Sequence, residues 1–90
     1  MSEEDLIKEF SRKMVEKLRL RKNRYVPFAW KTMDLKRLIL LLKEEVTELE
    51  EACGAGDLLH IASETVDVAN YAMFILEMAK DPKEFTWQVL

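Results

Sequence analysis

Glu45-x-x-Glu48 and Glu64-x-x-Asp67 are two pairs of carboxylates, each with its members three residues apart. On a helix that spacing puts both acids of a pair on one face, one turn apart. The first pair lies inside KEEVTELEEA, residues 43–52, where five of ten positions are glutamate, directly after the apolar run Leu38–Leu42. Leu38, Leu41, Glu45, Glu48 and Ala52 form a single helical face, so an apolar stripe runs straight into two acids. Glu50 and Glu51 fall on the wet side, with Glu44 at its boundary. The second pair shares a face with His60, Tyr71, Phe74 and Met78, in a segment whose other faces are mostly leucine, valine, alanine, isoleucine and methionine, with Thr65 among them. An unpaired carboxylate on such a helix is costly. Two inward pairs on facing antiparallel helices repel unless a cation lies between them. An oxygen-only ligand set, with no cysteine or histidine pair, selects a hard divalent ion, Mg²⁺ with Mn²⁺ as a substitute.

The elements that must position these acids are helices. Two glycines and two prolines in 90 residues leave little turn material for a sheet, and 49% apolar with 34% charged residues suits a globular chain. Ser2, Asp34 and Asp57 are each placed to cap a helix, and Gly54 and Asp81-Pro82 are placed to stop one. The expected fold class is all-α, a bundle of about four helices in one domain spanning 1–90. Long helices are expected at about 3–20, 34–53 and 57–80, with a short C-terminal helix from DPKEFTW. The segment RLRKNRYVPFAWKTM breaks the helical period and reads as a loop. Because the third helix is apolar nearly all round, a chain this small cannot bury it alone, and the expected partner is another copy. Tyr71 and Met78 read as core, and the lone His60 as a structural residue or one that supports the site residues from behind.

Composition removes several function classes. No apolar run exceeds six residues and the start, MSEEDLIKEF, is acidic and polar, so neither a membrane span nor a signal peptide is expected. Cys53 and His60 are too few for a structural zinc site, and the cytoplasm is the expected compartment. A net charge of −3 argues against a nucleic-acid partner. The charges are segregated: residues 12–37 carry ten Lys/Arg, whereas residues 38–79 carry nine Asp/Glu against Lys43 alone. A basic arm precedes an acidic core, which suits either charge balance between helices or a ligand needing both signs.

Glu45-x-x-Glu48, fifteen intervening residues and Glu64-x-x-Asp67 together resemble the ExxE…ExxD signature of the MazG-like all-α nucleoside triphosphate pyrophosphohydrolases. KEEVTELEEA and ETVDVANYAMFI look like the small MazG-like proteins, and the resemblance covers roughly residues 14–80. It implies hydrolysis of a nucleoside triphosphate between the α and β phosphates, giving monophosphate and pyrophosphate. It implies Mg²⁺ held by Glu45, Glu48, Glu64 and Asp67, with Glu44 and Glu45 serving the attacking water. It also implies that Asn70 contacts the nucleotide, and that the chain is a homodimer or homotetramer, with the sharing of its site between subunits left open. In that setting Lys22, Arg24 and Lys31 would hold the phosphate tail and Trp30 would stack on the base. Two other classes compete. A di-iron bundle needs two Glu-x-x-His motifs, and the single histidine has no glutamate three residues before it. A non-catalytic helical dimerisation or adaptor module would pair Glu64 and Asp67 with Arg or Lys across an interface and bind no metal.

Overall fold

The computed structural model describes residues 1–21 and 33–79, which form three helices and no strand: α1 (Glu3–Arg21), α2 (Leu35–Ala55) and α3 (Leu58–Ala79). Of the expected loop over residues 19–33, residues 19–21 prove to be the last turn of α1, and residues 22–32, like the short C-terminal helix, lie outside the described residues.

Each helix starts where local chemistry satisfies its free N–H groups. The Ser2 hydroxyl accepts from Asp5 N at 3.1 Å, while the Asp5 carboxylate accepts from Ser2 N and Oγ, and the acids of the first turn complement the dipole. Asp34, in an extended conformation, accepts from Arg37 N at 2.7 Å. Asp57 accepts from His60 N at 3.1 Å. The end of α2 differs from expectation. The helix passes through Gly54 and stops at Gly56, whose φ of 68° is left-handed and whose N–H returns to the carbonyls of Ala52 and Cys53. A methyl group at Gly56 would meet no atom within 4 Å, so only the backbone conformation resists it. Gly56→Ala is expected to cost about 1 kcal/mol, and chemical denaturation measures it; an unchanged midpoint would show that this cap contributes nothing.

Gly56 and Asp57 turn α2 back against α3 as an antiparallel hairpin, the larger of the helix contacts; α1 packs on α3 over a smaller one. Met14 of α1 lies at Asn70 of α3, and Lys17 lies at Ser63 and Asp67, so these two helices are antiparallel as well. Leu38, Ala52, Val66 and Phe74 are the buried apolar residues, and Tyr71 meets Phe74 edge-on at 5.9 Å between ring centres. Met78, expected in the core, is 38% exposed in the isolated chain, as are larger shares of Leu6, Ile7, Leu58 and Leu59. The helix predicted to be apolar all round does keep much of that surface open.

Candidate functional site: a glutamate cluster between two helices

The antiparallel hairpin sets Glu45 and Glu48 of α2 against Glu64 of α3. One carboxylate oxygen from each lies within 4.8 Å of the others. Glu45 and Glu64 are half-buried, whereas Glu48 reaches the cluster from an exposed position. Glu44, Glu50 and Glu51 are exposed, as the face pattern expects. Asp67 is 4% exposed and lies outside this trio, near enough to Glu45 for its charge to act on it.

Burial first, then hydrogen bonding to Glu64 and Glu48, pushes the Glu45 carboxyl up to about 8 from an ordinary 4.5; the charges of Asp67 and Glu48 push the same way. A carboxyl raised in the fold binds its proton more tightly there than in the unfolded chain. Its stabilisation is therefore complete below about pH 4.5 and is lost as pH rises to about 8. Without divalent ions, the melting temperature is expected to fall between pH 5 and pH 8 more steeply than in Glu45→Gln; parallel curves for the two proteins would contradict this origin.

Do these residues fit a cation? All donors are carboxylate oxygens, the set that hard divalent ions take. The Glu64 Oε2 atom is buried and accepts no hydrogen bond among the described residues, so it is an acceptor with capacity to spare. The charges of Asp67 and Glu48, which add to burial and hydrogen bonding in raising Glu45, are a repulsion that a cation relieves. The residues fit.

Other predicted residues are placed differently. Asn70 is completely buried, and its amide donates to the Met14 carbonyl at 3.4 Å, tying α3 to α1. His60 is exposed and holds Asp57 at 2.9 Å beside the α3 start, the structural role expected of it. Lys22, Arg24, Trp30 and Lys31 lie outside the described residues. Sequence reasoning passed over Lys17. Its ammonium lies 3.3 Å from Asp67 Oδ2 and donates to both the hydroxyl and the carbonyl of Ser63. The signal was present: Lys17 follows Met14 by three residues, at the edge of the stripe Leu6, Phe10, Met14, Leu18.

Glutamates converging from two antiparallel helices place the molecule among all-α proteins built around an acidic cluster. Residues 7–85 match the family model described as phosphoribosyl-ATP pyrophosphohydrolase, and the chain belongs to that family, an all-α domain of the MazG-like nucleotide pyrophosphohydrolase superfamily. No curated protein and no solved structure matched the chain. The family's activity is of the nucleotide pyrophosphohydrolase type, a hydrolase activity on a nucleotide. No helix among the described residues is long and apolar enough to cross a membrane.

Proposed function

We propose that this protein is a divalent-cation-dependent nucleoside triphosphate pyrophosphohydrolase, which cleaves its substrate between the α and β phosphates to give a monophosphate and pyrophosphate. The observation that carries the reading is the convergence of Glu45, Glu48 and Glu64 from two helices within 4.8 Å. Phosphoribosyl-ATP, the substrate in the family's description, and the simpler triphosphates share the bond in question.

Glu45, Glu48, Glu64 and Asp67 would hold the ion, Mg²⁺ or in its place Mn²⁺. When bound, such an ion neutralises phosphate oxygens and makes water a stronger acid. The chain's own groups do the rest. Glu45, kept ionised by the bound ion, would accept a proton from the attacking water near neutral pH. Glu44, exposed on the adjacent position, orients that water. Lys22, Arg24 and Lys31 bind the phosphate tail and Trp30 stacks on the base.

The exposed apolar side chains of α1 and α3, Leu6, Ile7, Leu58 and Leu59 among them, support assembly into a homodimer or homotetramer. The adaptor reading accounts for Asp67 beside Lys17, although that pair lies within one chain. It does not account for three glutamates turned toward one another.

Product analysis over a panel of triphosphates, phosphoribosyl-ATP included, tests the reaction. Monophosphate and pyrophosphate in equal amounts are expected; orthophosphate and a diphosphate would show cleavage at the other anhydride.

A further inference from the structure

We propose that Lys17, on α1, is a positioning residue of the cation site and acts through Asp67. The inference rests on the cation-dependent reading of the glutamate cluster. It extends the site to a third helix.

The ammonium of Lys17 is a built seat. It lies 3.3 Å from Asp67 Oδ2, 3.3 Å from the Ser63 carbonyl and in hydrogen-bond contact with the Ser63 hydroxyl, so each of its three protons has an acceptor. Ser63 and Asp67 are four residues apart on α3, which turns both toward the same turn of α1. The Lys17 side chain is 23% exposed and that of Asp67 5%. Removing one partner of such a pair leaves a buried charge uncompensated, a larger penalty than the loss of a surface ion pair.

Two features separate this contact from a plain interhelical tie. Asp67 stands one helical turn after Glu64 on the same face of α3, and Glu64 is a member of the cluster. It also stands outside the group formed by Glu45, Glu48 and Glu64, with Lys17 against one of its oxygens. A carboxylate has two oxygens; with one fixed to an ammonium, the rotation of the whole group is fixed. Lys17 thus sets the direction in which Asp67 presents its charge to the cluster. Without the ammonium, a carboxylate this deeply buried beside other acids does not keep its place. The position of α1 is then part of the site, because Lys17 and the bond from Asn70 to Met14 hold α1 to α3 one turn apart.

Calorimetric titration of Mg²⁺ into the full-length wild type, Lys17→Met, Lys17→Arg, Asp67→Asn and the Lys17→Met/Asp67→Asn double variant tests this, with melting temperatures recorded without cation. Groups that orient metal ligands typically contribute 10–100-fold to affinity, so Lys17→Met is expected to weaken Mg²⁺ binding by about 10-fold or more. Lys17→Arg, which keeps a cation at the same carboxylate, is expected to stay within about 3-fold of wild type. In the Asp67→Asn background, Lys17→Met is expected to add little, the mark of two residues acting as one unit. If Lys17→Met melts lower but binds Mg²⁺ like the wild type, Lys17 is only a tie between helices and the proposal is wrong. Tighter binding by Lys17→Met would also overturn it, since the ammonium would then be a competitor of the cation. A wild type that binds no Mg²⁺ refutes the cation-dependent reading itself, a result distinct from equal binding by wild type and variant.

Discussion

Replacing Glu64 by glutamine is expected to abolish pyrophosphate release and to leave the cation-free chain as stable as the wild type or more so. Glu64 is half-buried, its Oε2 is without a hydrogen-bond donor among the described residues, and it lies in the group with Glu45 and Glu48. Glutamine keeps the volume, removes one negative charge and offers an N–H to the Glu45 carboxylate. The change therefore relieves repulsion where the wild type has crowded carboxylates. Activity is another matter, because the cation loses a charged ligand. A loss of at least about 100-fold in kcat/KM is expected, roughly 2.7 kcal/mol of transition-state stabilisation. Were Glu64 instead one half of a buried ion pair, removing its charge would leave a cation stranded and cost about 3–5 kcal/mol of stability. Parallel measurement of turnover and thermal melting separates the two: marked unfolding of Glu64→Gln favours the ion-pair role.

Removing divalent ions from the wild type is expected to abolish turnover completely and to lower the melting temperature. On the proposed reading the cluster would bind a cation only in the folded chain, where two helices bring Glu45 and Glu48 to Glu64, because the unfolded chain holds no such grouping. Mass action then stabilises the fold by about 2.7 kcal/mol at a cation concentration one hundred times Kd. For a chain of this size that corresponds to a rise on the order of 10 °C. Scanning calorimetry with increasing Mg²⁺, set against KCl of equal ionic strength, measures it. A shift reproduced by KCl is charge screening, and a shift retained by Glu64→Gln places the cation elsewhere.

Much of this architecture was legible in the residues because its causes are local. Ser2, Asp34 and Asp57 cap helices through contacts three residues long, so their positions announce the helix starts. The glutamate pairs were legible through periodicity, which assigns a face without the rest of the fold. Periodicity does not assign depth, and so Glu48 shares the inward face with Glu45 yet is exposed. The end of α2 was misplaced by two residues because GAG offers two glycines. The helix runs on through Gly54, a cost of about 1 kcal/mol, and Gly56 supplies the left-handed turn that returns the chain toward α3. Lys17 was missed for a different reason: its partners, Ser63 and Asp67, are more than forty residues away, and no local pattern encodes which turn of α1 faces which turn of α3. The same holds for Asn70, read from the sequence as a nucleotide contact and found completely buried against the Met14 carbonyl. The apolar circumference of α3 was read correctly, and its exposure in the isolated chain follows from how little surface three helices can cover.

The most direct test of the account follows pyrophosphate release from a triphosphate while Mg²⁺ is titrated into the wild-type protein. The account predicts no release without divalent cation, then a saturable rise that Mn²⁺ also supports and that Glu64→Gln lacks. Release that proceeds unchanged in excess chelator, or no release from any triphosphate at saturating Mg²⁺, would contradict it.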